Sequence, residues 1–176
     1  MSERADIGEA ETLRPSPAWA SDAGIVAMQP AVGAASADPA SDRLLIAERI
    51  ARYGWSFDER DRDGVADCFT EDGVWEGQVM GIEPIGPFAG RASVVEFLTS
   101  FWEEQSDQRR HVFANVVVDD LLADTATAHV YVILLRSSEA SMTPLTAGPF
   151  RLELARDAGD GVWRIARLLA GFDTTF

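Results

Sequence analysis

The period of the hydrophobic pattern changes once along the chain, and this change limits the fold more than any other feature. Up to about residue 105 most apolar residues recur at helical spacing, with "VWEGQVMG" as one strand-like interruption. Beyond it come four alternating runs, "RRHVFANVVVDDLL", "TATAHVYVILLRSS", "AGPFRLELARD" and "GVWRIARLLAGF", joined by turn-like segments such as "DAGDG". Successive residues of a strand point to opposite faces, so each run reads as a strand with a buried face. Helices first and antiparallel strands after them predict an α+β domain, with helices packed on one face of a curved sheet.

The helical part opens at "SDRLLIAERIARYGWSFDERD". Ser41 or Asp42 is placed to cap a helix. Ile46, Ile50, Tyr53 and Phe57 then form an apolar row at i, i+4 spacing, which predicts the face turned to the sheet. Beside it runs a row of small residues, Ala47, Ala51 and Gly54, that ends in the carboxylate of Asp58. "DRDGVADCFTEDG" predicts a short capped helix stopping at Gly73. "GPFAGRASVVEFLTSFWEEQ" predicts a turn and a helix, with Val94, Val95, Phe97, Leu98, Phe101 and Trp102 on its apolar side. Residues 1–41 are rich in Ala, Ser, Pro and Gly and lack a sustained period. They are expected to be a flexible or docking tail, with Trp19 and the run Ile25 to Met28 as its docking candidates. The domain proper is expected over residues 42–176.

Composition excludes several chemistries. All 15 basic residues are arginine, so no lysine is available for a Schiff base. One cysteine and two histidines cannot build a Cys-rich zinc site, and no GxGxxG or GxxxxGK[ST] loop is present. Neither a metal nor a cofactor is expected. The net charge of −14 gives no basic footprint for nucleic acid or anionic lipid. The N-terminus shows no apolar signal segment, and no apolar run reaches the ~20 residues that cross a bilayer. A cytoplasmic protein is expected. Cys68, in "VADCF", reads as a small buried core residue.

The strand "QRRHVFANVVVDD" raises the functional question. Alternation puts His111 and Asn115 on one face with Phe113 and Val117. A histidine on an apolar strand face suits proton transfer if a carboxylate orients it, and Asp58 is the candidate carboxylate. The residues alone leave other readings open. His111 also reads as a core or rim residue bonded to a carbonyl, Asp58 as a solvated helix end, and Asn115 as a partner for backbone. His129 reads as structural or surface, and whether it or Tyr131 faces a pocket depends on the hairpin register.

The runs "RYGWSFDERDRDGVADCFTEDGVWEG", "GPFAGRASVVEFL", "RRHVFANVVVDDLLADTATAHVYV" and "GVWRIARLL" resemble the SnoaL-like group. That group belongs to the cone-shaped superfamily of nuclear transport factor 2, scytalone dehydratase, ketosteroid isomerase and the small subunit of ring-hydroxylating dioxygenases. The resemblance spans about residues 42–172 and implies a cone with an internal pocket. It matches Asp58 to the aspartate, and His111 to the catalytic histidine, of dehydratase-like members. Tyr53 and Trp55 precede Asp58 on the same helix and are expected in the pocket wall, and Asn115, Tyr53 or Arg136 is expected to bind the substrate by hydrogen-bonding a developing enolate. Phe57 stands where scytalone dehydratase has a tyrosine, and its second strand histidine falls near Arg136. The Asp–Arg–Asp arrangement of limonene epoxide hydrolase-like members has no counterpart here.

The function so implied is a cofactor-independent acid–base enzyme, a dehydratase, isomerase or polyketide cyclase. Its substrate would be a hydrophobic cyclic or polyketide-like small molecule of secondary metabolism or catabolism. The alternatives are a non-catalytic subunit resembling the dioxygenase small subunit, and an epoxide hydrolase. An open apolar cavity lined by the candidate pair would favour an enzyme; a filled cone would favour a subunit. Apolar residues on both faces of "VYVILL" and "RIARLLAGF" predict a homodimer.

Overall fold

The computed structural model describes residues 23–25, 38–138 and 141–176. Helix α1 (Pro39–Asp58) and the short α2 (Arg62–Asp67) lead into strand β1 (Phe69–Val79). Strand β2 (Glu83–Ala89) and helix α3 (Arg91–Glu104) follow. The chain ends with β3 (Gln108–Asp119), β4 (Thr125–Ser138), β5 (Ser141–Arg156) and β6 (Trp163–Phe172). The six strands form one sheet in the order β2-β1-β6-β5-β4-β3. Only β1 and β6 run parallel, so the sheet is mostly antiparallel and the α+β expectation holds.

Helix α1 presents the predicted row to the core. Ile46, Ile50, Tyr53 and Phe57 are all buried, together with Val94, Val95 and Leu98 of α3. Facing them are Ala126, Ala128, Val130, Val132 and Leu134 of β4, with Phe150, Leu152 and Leu154 of β5. Gly54 lets α1 approach β3 closely. A Cβ there would stand 2.8 Å from Cε2 of Phe113 and 3.1 Å from Cβ of His111.

Three local expectations need correction. The cap of α1 is Asp38, whose side chain accepts from the Ser41 amide at 3.4 Å, because Pro39 occupies the first turn. Asp42 is instead buried beneath the sheet's far end. It accepts from Trp163 Nε1 at 3.1 Å and pairs with Arg156, whose guanidinium stacks over the Trp163 ring. The second helix stops at Asp67 rather than Gly73, because the buried Phe69 already pairs with Ile165 of β6. The stretch "GPFA", expected as a turn, belongs to strand β2 (Glu83–Ala89). Pro84 and Pro87 are tolerated because β2 is an edge strand.

Most of the predicted tail, including Trp19 and Met28, lies outside the described residues. Ile25 is fully buried. Cys68 is buried as expected. Burial pushes its thiol pKa up, with Arg49 opposing the rise, so the thiol stays protonated.

Candidate functional site

Asp58 is the last residue of α1, an unfavourable place for a carboxylate because the helix dipole is negative there. Two hydrogen bonds from one residue compensate. The His111 amide donates to Oδ2 at 2.7 Å, and His111 Nδ1 lies 2.7 Å from Oδ1. Gln108 adds a third tie across to β3, donating from Nε2 to the Asp58 carbonyl at 2.8 Å. The two side chains are only 5% and 9% exposed. A carboxylate can only accept, so Nδ1 carries the proton in this contact. Nε2 has no hydrogen-bond partner among the described residues and is left as the accepting nitrogen.

His111 pairs with Leu134 of β4 and shares its inward face. Its ring sits in an aromatic box: Phe57 at 5.0 Å edge-on, Phe113 at 6.0 Å and Tyr53 at 6.2 Å between centroids. Beyond it opens a cavity of about 620 Å³, whose walls include Tyr53, Trp75, Phe97, His111 and Phe150. That volume is typical of small-molecule sites. Phe97 stacks on Phe88 at 3.8 Å and touches the Trp75 ring at 4.8 Å, which stiffens one wall. Glu103, Glu104 and Arg109 add charge to the lining, Arg109 being paired with Asp107. A smaller cavity of about 300 Å³ reaches Asp58 and is lined mainly by polar residues, among them Arg60 and Asp107.

The other expected binding residues lie elsewhere. Trp55 is 66% exposed, because two helical steps from Tyr53 turn it to the opposite side of α1. Asn115 is exposed and has a φ of 55°, at a bulge where the β3–β4 register shifts between Ala114 and Val117. The bulge swaps the faces beyond it. Val118, not Val117, is therefore buried, opposite Ala128. Arg136 lies exposed toward the β4–β5 hairpin and bonds Thr143 Oγ1 at 3.2 Å. Of the six expected site residues, the structure brings together Asp58, His111 and Tyr53.

His129 is on the outer face of β4, between Val117 of β3 and Arg151 of β5, and Tyr131 beside it is exposed. His129 is nonetheless 2% exposed, and its Nε2 is 3.8 Å from Asp119. Burial pushes its pKa down, and the Asp119 charge opposes that shift. It takes no part in the cavity.

Sequence reasoning missed Trp75 as a cavity residue. Its sequence signal was available: it sits in the run "VWEG", where an aromatic on an inward strand position faces whatever the sheet encloses. Among the described residues no group of three or more His, Cys, Asp or Glu converges as metal ligands would. No described helix is long and apolar enough to cross a membrane.

Comparison with known proteins bears on the family and the fold. Residues 38–168 match the family model of the SnoaL-like domain. A Catenulispora acidiphila protein solved in complex with S-DNPA is similar, with 29% identity and a TM-score of 0.65. The match covers 76% of this chain and 95% of that one. An NTF2-like protein with a cystatin-like fold from Novosphingobium aromaticivorans has 25% identity and a TM-score of 0.63, covering 75% and 82%. The fold is shared also with the beta subunit of a putative aromatic-ring-hydroxylating dioxygenase from Novosphingobium aromaticivorans. There the identity is 14%, the TM-score 0.64 and the coverage 77% and 92%. Comparison with the curated proteins gives no match. The chain belongs to the SnoaL-like domain family, built on the cone-shaped scaffold of NTF2-like proteins.

Proposed function

We propose that the protein is a cofactor-independent acid–base enzyme acting on a hydrophobic cyclic small molecule, as a dehydratase, isomerase or cyclase. The observation that carries this reading is the Asp58–His111 pair, closed by two 2.7 Å contacts, whose His111 lines a mainly apolar cavity of about 620 Å³ while Asp58 borders the smaller polar one. A subunit with a filled cone would have no use for such a space. The similarity to the dioxygenase beta subunit is at 14% identity and concerns the fold alone.

The chemistry follows from the arrangement. Nε2 of His111 takes a proton from carbon beside a carbonyl, and the C–H electron pair becomes an enolate. Asp58 stabilises the imidazolium that forms and holds the ring so that Nε2 stays aimed at the cavity. In dehydration the enolate expels a β-hydroxyl, which takes the proton from His111 and leaves as water. In isomerisation the proton returns to another carbon.

The test needs no native substrate. In D₂O the wild type should accelerate exchange of the acidic C–H of 2-tetralone, a bicyclic ketone that fits the cavity, followed by mass spectrometry. His111→Ala should lower that rate by roughly 10²–10⁴-fold, the usual share of general acid–base catalysis. Exchange that is equally fast in His111→Ala would defeat the proposal.

A further inference from the structure

A residue that closes a helix in the left-handed region is usually glycine, because a Cβ is disfavoured there. Arg60 holds that place after α1, with a φ of 57°. Its amide donates to the Phe57 carbonyl at 3.1 Å, and the Asp61 amide donates to the Ser56 carbonyl at 2.8 Å. An arginine kept where glycine would serve points to a use for its side chain. Arg60 is exposed and borders the smaller, polar cavity. Its guanidinium donates to the Gln105 carbonyl and pairs with no carboxylate among the described residues.

The other charges around that cavity are already engaged. Asp58 accepts two hydrogen bonds from His111. Asp107 is held by Nε and Nη2 of Arg109, which leaves Nη1 of Arg109 without a partner among the described residues. Two carboxylates and two guanidiniums stand in the lining, but the one charge left without a counter-charge is the cation of Arg60. Gln105 and Arg109 border the large cavity as well, so the two spaces adjoin. Arg109 comes two residues before His111 on β3, and alternation puts both on one face. At the large cavity Glu103 and Glu104 are exposed and repel an anion. A negative group on a ligand is therefore better placed in the smaller cavity than at the edge of the large one.

We propose that the smaller cavity is a subsite for a carboxylate carried by the ligand, with Arg60 as its main cation and Nη1 of Arg109 as a second donor. This rests on the acid–base reading above and narrows it: the substrate is a hydrophobic ring system with an acidic side arm. The arm, seated between Arg60 and Arg109, anchors the ligand so that its ring lies in the large cavity against His111. Arg60 binds the ligand and sets specificity; it takes no part in the proton transfer.

The experiment titrates 2-naphthylacetate and 2-ethylnaphthalene, which share a ring and differ in the carboxylate, into wild type, Arg60→Gln, Arg60→Lys and Arg60→Gly. Arg60→Gln should weaken 2-naphthylacetate by roughly three- to tenfold, the weight of one partly exposed charge-assisted hydrogen bond, and 2-ethylnaphthalene by less than about twofold. Arg60→Lys should keep part of the affinity for the acid. Arg60→Gly, which suits the left-handed backbone, should lose as much as Arg60→Gln, and this separates the missing charge from a changed turn. Added salt should weaken binding of the acid in the wild type more than in Arg60→Gln. The inference is overturned if Arg60→Gln leaves both affinities unchanged or weakens both ligands equally. It is overturned too if 2-ethylnaphthalene binds the wild type and 2-naphthylacetate does not, a result that leaves the apolar cavity reading intact. If proton exchange fails while the effect of Arg60 on the acid persists, the catalytic reading falls and the subsite stands. If neither ligand binds the wild type, the cavity reading and the subsite fall together.

Discussion

At Gly54 the space for a side chain is already taken, by the Phe113 ring and the His111 Cβ. A helix-interior glycine costs about 1 kcal/mol relative to alanine. Gly54→Ala would recover that amount but overpack the helix–strand contact, which typically costs about 1–3 kcal/mol. The steric cost should win. Urea unfolding should show a net loss of roughly 1 kcal/mol, and a more stable variant would contradict the packing described here. The sequence made this residue legible as one of a small row ending in Asp58, because helical spacing alone fixes which residues share a face. It also gave the Asp58–His111 pair. Asn115 and Arg136 were misread for a reason that alternation cannot reveal. A bulge with Asn115 at positive φ resets the faces of β3, and the inward face of β4 runs out into solvent before Arg136. Asparagine tolerates the left-handed region better than most residues, and that was the one available hint of the bulge.

The strands were legible as elements because their period is strict, but their ends were not. β5 begins at Ser141, well before "AGPFRLELARD", since hairpin pairing with β4 extends the ladder over residues with little alternation of their own. β2 escaped notice because two prolines masked an edge strand. The outer face of β3 and β4 carries the next consequence. Val112 and Ile133 are cross-strand partners, and both remain about 40% exposed, while Tyr131 nearby is 53% exposed. Such a contiguous apolar patch on paired strands is a candidate contact for a second copy. The protein is expected to be a homodimer by light scattering at micromolar concentration, and Ile133→Arg is expected to give a folded monomer. A monomeric wild type would rule out this use of the face.

At the scale of the whole molecule, α1, α3 and the sheet line a cavity rich in aromatic side chains, with His111 on one wall and Glu103, Glu104 and Arg109 among its polar groups. The clamp of Asp42 on Arg156 and Trp163 anchors the start of α1, and the bonds from His111 and Gln108 to Asp58 anchor its end. A helix fixed to the sheet at both ends holds its last carboxylate in register with one strand residue. That is the physical basis for reading the pair as preorganised rather than incidental. The cavity itself was legible only through the resemblance, because no periodicity tells a filled interior from an open one. The central claim is that Asp58 fixes the proton of His111 on Nδ1 and leaves Nε2 to accept from the ligand. Long-range ¹H–¹⁵N NMR of the imidazole at pH 8.5, where an ordinary histidine is neutral, tests this directly. The account predicts the Nδ1–H tautomer in the wild type and its loss as the dominant form in Asp58→Ala. A wild-type His111 that carries its proton on Nε2 would contradict it.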